Sequence, residues 1–214
     1  MTILDVGCGR GEILRHVAAL GARALGVDYA PAAVRMSRRV GDAVPAGQYP
    51  VGVYRADAKH LPFPAAGFDR VLMLDIVEHL YPPELDQAVA ETFRVLRPGG
   101  RLVVHTAPNV WYDRYAYPVV RTVRRLMGQG AAYPRNPREF LVPENVHVHV
   151  NEQSLVSLRR VLQRAGFRDI RVWLSSPPQQ RREGAVLGEL RHFLFGAPPF
   201  RWFFEREIFA VGEK

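Results

Sequence analysis

The strongest constraint on this chain lies at its start, where Asp5-Val6-Gly7-Cys8-Gly9-Arg10-Gly11 directly follows the apolar pair Ile3-Leu4. A short strand here enters a glycine-rich turn, and Ile13, Leu14, Val17 and Leu20 follow at helical spacing. Such a strand–turn–helix forms the crevice of a doubly wound sheet, where a nucleotide-like ligand sits. Glycine serves there because the backbone must turn sharply and approach the ligand without a Cβ. The spacing is Gly-x-Gly-x-Gly, tighter than the Gly-x-Gly-x-x-Gly that cradles a pyrophosphate, and this disfavours a dehydrogenase. The acid at Asp5 suits a ligand with a positive, amino-acid-like end.

Arg23 to Val27 reads as a second strand that ends in Asp28-Tyr29. An acid at that tip is placed to accept hydrogen bonds from ribose hydroxyls. Asp57 follows the strand Val51 to Arg55, where a carboxylate and the neighbouring Ala58 amide can meet an adenine amino group.

ILDVGCGRGEIL, GVDYAP, ADAKHLPFPAAGFDRVLMLDIVEHL and VLRPGGRLVVHTAPN, in that order, resemble the motifs of class I S-adenosylmethionine-dependent methyltransferases. The likeness is to the small-molecule branch that includes the ubiquinone and menaquinone biosynthesis enzymes. It runs from Ile3 to about Asn109, with a weaker echo from His149 to Phe167. It implies S-adenosyl-L-methionine as cofactor, held by Asp5, Gly7, Cys8, Gly9, Gly11, Asp28, Tyr29, Asp57, Ala58 and Asp75. It also implies that Glu78 and His79 lie at the junction of cofactor and acceptor. The family run usually has a glutamate where Asp75 stands. Members usually carry helical sequence before the first strand. Here the strand opens at Thr2, so either residues from 108 onward or 175 to 200 substitute for that cover, or the sequence begins too late.

With 214 residues, 48% of them hydrophobic and 23% charged, the chain is expected to form one soluble α/β domain. The expected fold is Rossmann-like: a doubly wound, mostly parallel seven-stranded sheet with an antiparallel C-terminal edge hairpin. Phe68 to Leu74 suits a buried central strand, and Arg101 to Thr106 a fifth. Asp169 to Leu174 and Glu207 to Val211 form the edge pair. Helices are expected from Pro31 to Val40, closed by Gly41, and over Leu85 to Leu96, stopped by Pro98-Gly99-Gly100. A further helix is expected after a cap at Asn151, ended by Gly166. Residues 108–150, dense in Trp111, Tyr112, Tyr115, Tyr117, Tyr133 and Phe140, are read as an inserted cap over the acceptor pocket. Asn109, Trp111, Tyr112, His147 and His149 are its expected substrate-binding residues.

No apolar run has the length of a membrane span, no leader precedes the first strand, and the lone Cys8 permits no intrachain disulfide. A reducing cytoplasm is therefore expected, with Cys8 read as a small residue packed in the glycine loop. Of 29 basic residues only Lys59 and Lys214 are lysine, and the net charge is +8. Arginines gather at 121, 124 and 125 and again at 159, 160, 164, 168 and 171, a pattern open to anionic partners. Base methylation is disfavoured, because Asp75-Ile76-Val77-Glu78 stands where an Asn/Asp-Pro-Pro-aromatic run or a nucleophilic cysteine is expected. The second reading is an RNA ribose methyltransferase, and the third a non-catalytic cofactor-binding module.

The expected chemistry is methyl transfer to a small molecule, first of all to oxygen with carbon and nitrogen left open, aided by alignment of the nucleophile with the sulfonium methyl. The aromatic, arginine-flanked cap suggests an aromatic or anionic acceptor. Glu78 and His79 are the expected catalytic pair, with His79 placed to accept a hydroxyl proton. Asp75, Glu78 and His79 offer two carboxylates and an imidazole to a divalent ion that would polarise a catechol-like oxygen, but three residues this close make a poor cage unless substrate completes the shell, so no metal site is assigned. No oligomeric state is assigned.

Overall fold

The computed structural model describes residues 1–42, 51–140, 148–175, 193 and 198–214. Seven strands form one sheet: β1 (Thr2–Val6), β2 (Arg23–Asp28), β3 (Val51–Arg55), β4 (Phe68–Leu74), β5 (Leu96–Thr106), β6 (Arg168–Leu174) and β7 (Ile208–Glu213). Their order is β3-β2-β1-β4-β5-β7-β6. The first five strands pair in parallel, and β7 runs antiparallel between β5 and β6. The expected Rossmann-like sheet with its antiparallel edge pair is therefore present, with β6 on the outer edge. Strand order reverses between β1 and β4, so a crevice opens at their carboxyl ends.

Alternation along the strands sends side chains to two cores. Ile3 and Ala24 join Leu14, Val17 and Val34 beneath α1 (Glu12–Ala19) and α2 (Pro31–Asp42). Leu4, Val6, Leu25 and Val27 join the opposite core with α3 (Pro82–Val95) and α5 (Leu155–Arg164). Between β5 and α5 lie a π-helical turn (Tyr112–Ala116) and α4 (Tyr117–Leu126), and the short α6 (Phe200–Phe204) packs against the turn. Among the described residues, no helix is long and apolar enough to cross a membrane.

Several boundaries differ from expectation, and β6 starts at Arg168 while β7 runs over Ile208–Glu213. Helix α2 runs through Gly41 to Asp42. β5 starts at Leu96, because Leu96 pairs with Phe68 before the chain bulges and resumes pairing at Arg101 with Arg70. Within the bulge, Gly99 and Gly100 exchange backbone hydrogen bonds with Lys214. Helix α5 is capped by Ser154, whose hydroxyl accepts the Ser157 amide proton at 3.1 Å, and not by Asn151. Gly166 does close α5, with φ 97°.

Leu162 of α5 is fully buried in the core that carries β5 and β7. We expect Leu162→Ala to cost about 2–5 kcal/mol by urea denaturation, the range for truncating a buried leucine whose surroundings collapse only partly.

Candidate functional site

The site begins with the turn after β1. Gly7 and Cys8 both donate their amide protons to the Val27 carbonyl, at 2.8 and 3.0 Å, and Gly11 donates to the Cys8 carbonyl at 2.8 Å. Gly7, Gly9 and Gly11 adopt φ of 77°, 50° and 81°, a region side chains disfavour. A Cβ on Gly7 would lie 2.8 Å from Ile76 Cδ1, while one on Gly9 would meet nothing within 4 Å. Gly7 thus lets the chain leaving β4 pack against the turn, and Gly9 leaves open space beside it. The Cys8 thiol points inward, 3.6 Å from Ser37 Oγ, and burial pushes its pKa up to about 11. It is a neutral packing group, as its small size suggested.

Asp5 is buried beside this turn. Burial, reinforced by the Asp28 charge, pushes its pKa up to about 7. At the tip of β2, the Asp28 carboxylate accepts the Gly9 amide proton at 2.9 Å and the Ala30 amide proton at 2.8 Å. A carboxylate has about four acceptor sites, so capacity for further donors remains. Tyr29 is exposed, with the Arg55 guanidinium 5.9 Å from its ring centre. Beyond β3, Asp57 accepts the Lys59 amide proton at 2.9 Å, and Ala58 is buried in the core. The stretch that follows is fastened to α3: Leu61 donates to Glu91, and Arg94 donates to the Leu61 and Phe63 carbonyls. Asp5, Asp28 and Asp57 therefore sit at or just past the carboxyl ends of three neighbouring strands.

The end of β4 divides its residues. Asp75, at φ 55°, turns its carboxylate to His105 Nδ1 at 2.7 Å. The Asp75 hydrogen bond, with the charges of Asp75 and Glu207, raises the His105 pKa. A 3₁₀ turn, Val77–His79, follows. Glu78 is buried and accepts the Thr106 hydroxyl proton at 2.7 Å, and burial raises its carboxyl pKa despite that bond. His79 is exposed, with Nδ1 3.1 Å from the Val148 carbonyl. A carbonyl can only accept, so Nδ1 is the donor in this bond and Nε2 is the nitrogen left for other partners. Val150 and Asn151 donate to the Glu78 carbonyl at 2.9 and 3.1 Å, bringing His149 to His79 with ring centres 4.9 Å apart. One ligand-type atom from each of Glu78, His79 and His149 lies within 4.8 Å of the others. The sequence grouped Asp75 with Glu78 and His79. The fold instead turns Asp75 to His105 and brings in His149.

The expected substrate residues separate. Asn109 is fully buried, and its amide donates to the Trp202 and Glu205 carbonyls at 2.9 and 3.0 Å and accepts from the Trp111 amide. It fastens the chain after β5 to α6 and is not a wall of the pocket. Trp111, with Tyr115, Val119 and Phe203, lines an apolar cavity of about 570 Å³. Tyr112 lies beside it in sequence, with the Arg206 guanidinium 5.2 Å from its ring centre. His147 and most of 175–200 lie outside the described residues. Sequence reasoning missed Thr106, His105 and Glu207. The signal for the first two was their place at the carboxyl end of a parallel strand, where such sheets bind ligands.

Comparison with known proteins supplies the context of this site. Residues 4–104 match the family model described as "Methyltransferase domain". A probable S-adenosylmethionine-dependent methyltransferase of Mycolicibacterium smegmatis is 31% identical over 166 residues, covering 77% of this chain and 51% of that protein. A demethylmenaquinone methyltransferase of Thermus thermophilus is 36% identical over 108 residues, covering 50% and 47% respectively. The chain thus spans about half the length of these relatives. Among solved structures, a SAM-dependent methyltransferase from Archaeoglobus fulgidus has a TM-score of 0.62 at 18% identity, covering 100% of this chain and 86% of that one. A phosphoethanolamine N-methyltransferase 2 of Haemonchus contortus, solved with S-adenosyl-L-methionine, has a TM-score of 0.65 at 17% identity, covering 100% and 48%.

The position of Asp5 has a consequence for stability. Its folded pKa of about 7 exceeds the ordinary aspartate value of 3.8, so the folded chain holds a proton that the unfolded chain releases. Its stabilisation is complete below the unfolded pKa and is lost as pH rises through about 7. We expect Asp5→Asn to melt higher than the parent at pH ~8 without ligand, and the difference to close towards pH ~4. Equal melting temperatures at both would mean that Asp5 is not held protonated by its burial.

Proposed function

This chain carries a class I S-adenosylmethionine-dependent methyltransferase domain, and on that premise we propose that the protein methylates an oxygen atom of a small-molecule acceptor. The observation that carries this reading is the convergence of the glycine turn, Asp28 and the Glu78-His79 turn at one end of a parallel sheet. The residues fit the cofactor. Asp5 and the turn hold its cationic methionine end, Asp28 its ribose, and Asp57 with Ala58 its adenine. Cys8 and Tyr29 support the turn and the ribose end, and Asp75 lies at the border with the acceptor.

The sulfonium methyl is already activated, so the protein's contribution is alignment. The acceptor oxygen forms a bond to the methyl carbon as the carbon–sulfur bond breaks. The electron pair of that bond stays on sulfur, giving S-adenosylhomocysteine. The hydroxyl proton must leave, and Glu78 and His79 are the groups that promote its loss. The apolar cavity beside Trp111 supports an acceptor with a ring or hydrocarbon body. A relative from Penicillium expansum, 38% identical over 104 residues that cover 48% of this chain and 36% of that protein, is named as an O-methyltransferase.

Several arginines that suggested RNA have partners within the fold. Arg121 donates to the Tyr133 carbonyl, Arg159 to the Ile170 carbonyl, and Arg164 to Asp86. This supports a small molecule over RNA. The segments 108–140 and 198–206 act together as the cap of a single domain.

Calorimetric titration with S-adenosylhomocysteine is expected to give micromolar binding that Asp28→Ala weakens. Unchanged affinity in that variant would refute the placement of the ribose. With an acceptor in hand, His79→Ala should lower turnover about 10²–10⁴-fold, the usual contribution of a group acting on a proton in the transition state. Its affinity for S-adenosylhomocysteine should not change.

A further inference from the structure

We propose that Glu78, His79 and His149 form a divalent-metal site that binds the oxygen of the acceptor. The inference rests on the O-methylation reading above and names how the Glu78-His79 turn serves it. Two elements far apart in sequence build the site. Glu78 and His79 come from the turn after β4, and His149 comes from the stretch before α5, which is fastened to that turn by the Val150 and Asn151 amides. Two further bonds orient the ligands. Val148 accepts the His79 Nδ1 proton and leaves Nε2 to face a ligand, while Thr106 donates to one oxygen of Glu78. Metal-bound histidines and carboxylates are ordinarily held by outer partners of this kind.

Two imidazoles and one carboxylate suit a first-row transition ion such as zinc, cobalt or manganese better than calcium. In a tetrahedral site with bonds of about 2.0–2.2 Å, ligand atoms lie about 3.3–3.6 Å apart. The three groups here lie within 4.8 Å, so their side chains must draw in to close on an ion. Glu78 is buried, His149 half-buried and His79 exposed, so the cluster is open on one side. Three protein ligands with an open position are the arrangement in which an ion can also take a substrate oxygen. An ion there lowers the pKa of the bound hydroxyl, whose proton passes to water before the oxygen takes the methyl group. The His79 lone pair, expected from the sequence to receive that proton, is then given to the ion.

The test uses cobalt(II) as a visible-absorbing probe, titrated into the chain, with S-adenosylhomocysteine affinity measured in parallel. We expect one tight equivalent in the parent protein. Binding should weaken by about tenfold or more in His79→Ala and in His149→Ala. It should be unchanged in His16→Ala, an exposed histidine on α1 outside the cluster. His149→Cys provides a second readout, because a thiolate in the coordination sphere adds a sulfur-to-cobalt charge-transfer band. Cobalt held no more tightly by the parent than by the His79→Ala/His149→Ala double variant overturns the proposal, as does a His149→Cys protein without that band. Failure of the methyltransferase reading is separate and would show as loss of S-adenosylhomocysteine binding by the parent protein.

Discussion

The carbonyl of Val27 organises this molecule, because it receives the amide protons of both Gly7 and Cys8. One acceptor on β2 thereby stops β1 and reverses the chain across the sheet. The reversal sends Leu14 and Val17 into one core and turns the Cys8 thiol towards Ser37 of α2. It also delivers the Gly9 amide to Asp28, so the residue that closes β2 helps to fix the turn that follows β1. The turn and the acid are parts of one hydrogen-bonded unit. That unit explains why the glycines cannot simply be exchanged for alanine: Gly7 is hemmed in by Ile76, and Gly9 holds a φ of 50° that side chains disfavour.

The same unit concentrates negative charge. Asp5 and Asp28 lie close enough for one to raise the pKa of the other, and burial adds to the effect. A chain with a net charge of +8 has nonetheless gathered acids at one crevice. Its arginines are partly occupied elsewhere, such as Arg94, which ties the stretch after Asp57 to α3. The overall charge therefore says little about the ligand, while the local field favours a cation. A ligand carrying an ammonium or sulfonium group offsets the cost of ionising Asp5 in a dry site. An anionic ligand would increase it.

The sheet was legible in the sequence because its signals are local. β3 and β4 fall on the expected residues, since an apolar run between turn residues encodes a buried strand without help from distant contacts. The cofactor crevice was legible for the same reason: a strand, its turn and its closing acid are contiguous. The acceptor side was less so. Asn109 looked like a pocket residue because it follows β5, but the carbonyls that claim its amide lie some ninety residues later, at Trp202 and Glu205. His149 was grouped with His147 among the expected acceptor residues. Its contact with His79 depends on two amides reaching the Glu78 carbonyl, which no periodicity announces. Residues 108–140 were legible only as an excursion between β5 and α5, and the contact of their π-helical turn with α6 required the fold.

Asp75 and Glu78 show how few residues can separate two electrostatic fates. Asp75 takes a left-handed backbone, is largely exposed, and spends its carboxylate on His105 across the β4–β5 pair. Three residues on, the 3₁₀ turn has carried Glu78 into the core, against Thr106 of the same β5. His105 and Thr106 are adjacent and point to opposite faces of the sheet, as strand geometry requires. The two acids are therefore sorted to opposite faces by the two-residue period of their neighbour strand. Asp75 supports a histidine whose positive form it favours, and Glu78 keeps an acceptor-capable carboxyl dry beside two imidazoles. The end of β5 thus decides what each acid after β4 can do.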